Sequence, residues 1–167
     1  MAERDCMSQL GGWEGYEVSG WRHEERAGRR WLLIELEPRA GGERICSGCG
    51  EAVAAIHDRS VRRIRDLPVF EDPVDLSVVR LRLACPRCGP RLQQLDWLEP
   101  HARVTRRLAR SVARLCTMAS VRHAAQWHGL DWKTAKAIDF RELERTLGPP
   151  DLDGVRLLAM DEFAIQK

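Results

Sequence analysis

Two short cysteine runs constrain this chain more than anything else in it. CSGCG and CPRCG each hold two cysteines separated by two residues and close on a glycine: Cys46 and Cys49 with Gly50, Cys85 and Cys88 with Gly89. That spacing lets both thiolates of a pair face one tetrahedral ion, and the glycine lets the backbone turn so that its amides approach the sulfurs. The shared grammar predicts a single structural zinc site made by Cys46, Cys49, Cys85 and Cys88. The competing readings are a redox pair or disulfides. A redox CxxC stands alone at a helix start in a βαβ setting, whereas both knuckles here are bordered by β-like residues. The 35 residues between Cys49 and Cys85 exceed a compact ribbon, so that interval is expected to be structured as strands. With four cysteines available, His57 reads as a surface histidine.

At 167 residues the chain is one domain or two small ones. No window approaches the roughly 20 apolar residues of a membrane span. MAERDCMSQLGG lacks the apolar stretch of a signal peptide. A cytoplasmic chain with reduced, metal-binding cysteines is therefore expected, without a membrane partner. Cys6 and Cys116 read as structural thiols. The overall charge of +2 conceals an asymmetry, because residues 101–147 hold ten Arg and Lys against four Asp and Glu, a local +6. Such a module suggests a polyanionic partner; a solvated basic helix face is the alternative.

Along the chain, residues 1–12 look disordered. Tyr16–Trp21 and Trp31–Glu37 read as strands around a turn at Ala27-Gly28, and Ala55–Ile64 and Val74–Leu83 as strands inside the zinc unit. Within the last, Val79, Leu81 and Leu83 alternate with Arg80 and Arg82. Pro68 and Pro73 suit the loop between the two. The metal is expected to contribute much of the folding free energy of so thin a core.

Near Glu99-Pro100 the apolar period changes from two to 3.6. Val104, Leu108, Val112, Leu115 and Cys116 form the stripe of a helix over 102–118. Ser120 caps a short helix through Trp127, Gly129 makes a tight turn, and Asp131 caps a further helix to about Phe140. Ala124 and Ala125 allow close crossing, with Leu130 and Ile138 as core. This is a helix-turn-helix pattern, although any αα-hairpin shows alanines and a glycine. If it binds DNA, Trp132, Lys133, Thr134 and Lys136 lie near the groove, and Arg106, Arg107, Arg110 and Arg122 contact phosphates or face solvent. After Gly148-Pro149-Pro150, the run Val155–Met160 reads as a strand delivering Asp161-Glu162. On its own that is better read as an ordinary strand end with solvated acids.

The order of these parts resembles the bacterial insertion-sequence transposases of the ISL-three family. These resemble a zinc finger, a helix-turn-helix and then an RNase H-like domain of the DDE type, opening on a strand like DEFA with a basic residue after it. The matching residues are the four cysteines, Ser120–Ile138, Asp161 to Ala164, and Lys167. By that resemblance Asp161 is the first of three carboxylates that hold two magnesium ions for DNA cleavage and joining. The other two have no counterpart here, so magnesium is expected only if another polypeptide completes the domain.

The expected fold is α+β: a disordered 1–12, a β-rich zinc-ribbon-like unit over 13–98, a helix-turn-helix over 99–147, and over 148–167 a linker with the first strand of a truncated RNase H-like domain. The function this implies is binding of insertion-element ends for transposition, without catalysis by this chain alone. Double-stranded DNA is the expected partner, with this chain itself or a full-length transposase as a further one. The alternatives are a zinc-stabilised regulator or protein-interaction module unrelated to transposition, and an enzyme completed by another polypeptide.

Overall fold

A computed structural model describes residues 2–148, 153–154 and 156–157, with side chains from Met7 onward. Helix α1 (Ala2–Gly11) is followed by strands β1 (Tyr16–Arg26), β2 (Arg29–Pro38), β3 (Ile56–Val69), β4 (Asp72–Cys85) and β5 (Gly89–Leu92). Helices α2 (Arg106–Cys116), α3 (Val121–His128) and α4 (Trp132–Leu147) complete the described part. The mixed α+β class is as expected. The strand expected over Val155–Met160 lies, apart from Arg156 and Leu157, outside the described residues, as does Asp161.

The five strands form one sheet in the order β1-β2-β4-β3, with β5 added along the far end of β4. Both hairpins are antiparallel, but β2 pairs with β4 in parallel, Leu32 opposite Val74 through Leu36 opposite Val78. The prolines do not make the second hairpin loop. Its tip is Phe70-Glu71, and Pro68 sits inside β3 at a register shift between Asp66 and Val69, where the ladder tolerates a missing N–H.

Strand β4 is long enough to serve two cores. Val74, Leu76 and Val78 join Tyr16, Val18, Leu32, Ile34, Leu36, Ile64, Trp97 and Leu98 in the main core. Leu81, Leu83 and Cys85 lie on the alternate face and pack with Cys46 and Val53 in a second, smaller one. Arg80, predicted to face away from Leu81, does so, yet it is only 4% exposed because the segment from Gln93 to Leu98 lies over it. Tyr16 anchors the main core by edge contact with Trp97 at 5.5 Å and by donating its hydroxyl to the Val79 carbonyl at 2.8 Å. Burial pushes the Tyr16 phenol up to about 12.

The first residues, expected to be disordered, are helical. Met7 of α1 packs on the main core and Ser8 Oγ accepts from the Val18 amide at 2.9 Å, so tertiary contact supplies what a polar sequence lacks locally. Helix α2 starts later than expected because its lead-in belongs to the sheet. Arg65 donates its amide to the Arg103 carbonyl at 2.8 Å and accepts from the Thr105 amide at 2.9 Å. Thr105 then caps α2 by accepting from Leu108 N. Helix α4 runs past Phe140 to Leu147, its last turns carrying the Glu142–Arg145 ion pair one turn apart.

Candidate metal centre and nucleic-acid interface

The knuckle glycines adopt the left-handed backbone predicted for them, with φ of 74° at Gly50 and 69° at Gly89. Cys46 N donates to the Glu51 carbonyl, and Gly50 N to the Cys46 carbonyl, both at 2.9 Å. β5 folds back on β4 so that the second knuckle sits beside the first, Cys85 opposite Gly89. The four sulfurs lie within 4.8 Å of one another, and Cys49 Sγ is 3.6 Å from Cys85 Sγ. Sulfurs bound tetrahedrally at about 2.3 Å would stand about 3.8 Å apart, so the cluster is close to the size a zinc ion takes. None of the four is in a disulfide. Gly48, which the sequence reading passed over, sits close to the second knuckle: a side chain there would begin 3.0 Å from Cys88 Sγ.

The thiols are electrostatically unequal. Amides of Gly48 and Cys49 directed at Cys46 bring its thiol down to about 7, whereas the hydrogen bond with Cys49, burial and the neighbouring sulfurs push Cys88 up to about 12. A divalent ion would displace those protons and hold all four as thiolates. His57 is exposed, as expected, and stands apart from this cluster. Cys116 lies half-buried in the helical core, where burial raises its thiol.

The three helices enclose their own core of Leu108, Val112, Ala113, Ala125, Ala135 and Ile138, with Leu130 partly buried against it. Ser120 caps α3 by accepting from His123 N, and Asp131 caps α4 by accepting from Lys133 N. Gly129 between them has φ 59°, the conformation the turn demands. With Ala135 and Ile138 turned inward, Trp132, Lys133 and Lys136 are exposed on the opposite face, and Thr134 is half-buried. Lys136 Nζ lies 5.2 Å from the Trp132 ring centroid. Arg110 and Arg122 are exposed as well.

Two of the predicted phosphate contacts are held internally. Arg106 Nε pairs with Glu99 at 2.8 Å. Arg107 donates through Nε to Asp66 at 2.7 Å, pairs again through Nη2, reaches the Gly11 carbonyl at 2.7 Å and lies over the Trp13 ring. The Asp66 carboxylate, fully buried, also accepts from Trp13 Nε1 at 3.0 Å and Thr105 Oγ1 at 2.6 Å. Arg107 thus joins the sheet, the N-terminal segment and α2. Arg65 adds a second tie, donating to the Gly129 carbonyl in the interhelical turn at 2.9 Å. Its guanidinium stacks at 4.0 Å on Trp31, whose ring also meets Arg26 at 4.5 Å. Arg59 and Arg62, which were not among the sequence candidates, are exposed along edge strand β3.

A four-cysteine knuckle pair built on a sheet, tied to a capped three-helix unit with a basic outward face, defines a zinc-ribbon and helix-turn-helix protein. Comparison with known proteins agrees domain by domain. Residues 43–89 match the zinc-finger of transposase IS204/IS1001/IS1096/IS1165, and residues 93–139 match the helix-turn-helix domain of transposase family ISL3. The chain is 42% identical over 168 residues to the transposase for insertion sequence element IS1001 of Bordetella parapertussis, covering 100% of this chain and 41% of that protein. The chain belongs to the ISL3 transposase family. It spans less than half the length of that relative. No solved structure matches it. Among the described residues no helix is long and apolar enough to cross a membrane.

Proposed function

We propose that this chain binds duplex DNA at the ends of an insertion element, as the recognition portion of a transposase. The carrying observation is the exposed basic face of α4 at its capped N-terminal end, with Trp132, Lys133 and Lys136 turned away from a core of Ala135 and Ile138. A recognition helix enters the major groove by its N-terminal residues. Lys133 and Lys136 would there reach base edges, with Thr134 and Trp132 alongside. Arg110 and Arg122, both exposed, supply phosphate contacts. The zinc ion is structural: it holds one end of the sheet, and the sheet positions the helices.

Asp161 is proposed as the first carboxylate of the catalytic set, by family resemblance. Two-metal phosphoryl transfer needs several carboxylates around both ions, of which Asp161 would supply one.

The test is DNA binding by the zinc-loaded chain to a duplex carrying the element's terminal repeat, against a scrambled duplex, over a range of salt. With about five phosphates contacted, the log–log slope should be near −4.5. Lys133→Ala and Lys136→Ala should reduce the preference for the terminal repeat, whereas Arg110→Ala and Arg122→Ala should weaken both duplexes alike. Equal affinity for both duplexes in the unaltered chain would refute end recognition.

A further inference from the structure

The seam between the zinc knuckles and the helices holds a cleft of about 200 Å³, several times the roughly 30 Å³ share of one water. Ser47 of the first knuckle borders it on one side and Arg106, the first residue of α2, on the other. Arg80, 4% exposed, belongs to the same lining. Its guanidinium donates to the Gln93 carbonyl at 3.3 Å, but its Nε has no partner among the described residues. No carboxylate forms an ion pair with it among the described residues; Glu99, which borders the same cleft, is engaged with Arg106. A guanidinium buried without a counter-charge is destabilising. The Gln93 side-chain oxygen in the same cleft is likewise buried and unpartnered, and turning that amide over presents its NH₂ as a further donor.

We infer that this cleft is an oxyanion site, and that its occupant is a backbone phosphate of the DNA held by the helix-turn-helix. Arg80 supplies the buried charge and Gln93 a neutral donor, while Arg106 borders the rim with its charge paired to Glu99. Against two cations stands one carboxylate, so the cleft keeps a net positive charge that a phosphate oxygen neutralises. The position explains why the charge is kept at depth. A phosphate seated between Ser47 and Arg106 fixes the register of the DNA against both the knuckle and the first helix, which an exposed, swinging side chain does less well. This inference rests on the DNA-binding reading above, and it adds a contact from outside the helices.

The experiment compares the zinc-loaded chain with Arg80→Met, which keeps the stem length and removes the charge, and with Gln93→Glu, which places a carboxylate in the cleft. Two quantities are read: the thermal midpoint with added inorganic phosphate against chloride at equal ionic strength, and the salt slope of DNA binding. Phosphate should raise the midpoint of the unaltered chain and leave both variants unmoved. Gln93→Glu should melt higher than the unaltered chain when no oxyanion is present, which keeps the test usable if Arg80→Met fails to fold. The salt slope should become shallower by about 0.9, one phosphate, in each variant. DNA binding with an unchanged slope in Gln93→Glu overturns the cleft while leaving the helix-turn-helix reading intact. A phosphate effect that needs Arg80, in a chain that binds no DNA, overturns the assignment to a DNA phosphate and the function together, leaving only a free-anion site. No phosphate effect in the unaltered chain overturns the site altogether.

Discussion

Asp66 offers the sharpest test of how the helices are held to the sheet. Its side chain is fully buried and collects donors from Trp13, Thr105, Leu67 and Arg107. Asp66→Ala removes every acceptor at once. Arg107 keeps 40% of its side chain exposed and can turn back to water, so its loss is the smaller part. Trp13 and Thr105 are 6% and 1% exposed, and their N–H and O–H would be left buried without acceptors. At about 1–3 kcal/mol for each stranded donor, with a smaller term for the ion pair, the expected loss is about 4 kcal/mol, inside the range for breaking a buried pair from one side. For a chain of this size that lowers the melting midpoint by roughly 10 °C. Arg107→Ala leaves the carboxylate with its other three donors and should cost about half as much. The assay is thermal and urea unfolding of both variants and of the double variant, with zinc content measured to confirm that the knuckles are intact. The double variant should be less destabilised than the two losses added, by about 1 kcal/mol or more. A loss under about 1 kcal/mol for Asp66→Ala, or strict additivity with Arg107→Ala, would refute the view that this carboxylate is the joint between sheet and helices.

Two further outcomes follow from the same structure. Metal analysis should find one zinc per chain, and Cys85→Ser should abolish it and loosen the knuckle end of the sheet while α2, α3 and α4 keep their helical signal, since they own a separate core; loss of all helical signal would contradict this. His128 has its Nδ1 buried without a partner, and burial lowers its pKa below the ordinary 6.5. The unfolded chain therefore protonates there first, so this contribution is complete above about 6.5 and is lost as the pH falls toward the lowered folded value. Urea midpoints should fall more between pH 7.5 and 5.5 in the unaltered chain than in His128→Gln, and equal falls would exclude the histidine.

The sequence by itself determined the parts that depend on local chemistry. Two CxxC runs, each closed by glycine and bordered by β-like residues, point to a knuckle pair, because spacing and backbone freedom are properties of a few consecutive residues. The same holds for Ser120, Gly129 and Asp131, whose capping and turning roles are settled within one helical turn, and for the apolar stripe of α2. What only the tertiary structure decided are relations between distant residues. The parallel pairing of β2 with β4 joins strands that alternation alone would place in separate hairpins. The change of face along β4 depends on which segments happen to cover each side, and it turns Arg80 from a solvated residue into a buried one. Arg107 read as a phosphate contact because charge on a helix is legible, while the carboxylate that binds it lies 41 residues earlier on a strand. Periodicity reports which face of an element is apolar; it carries no information about which element that face will meet.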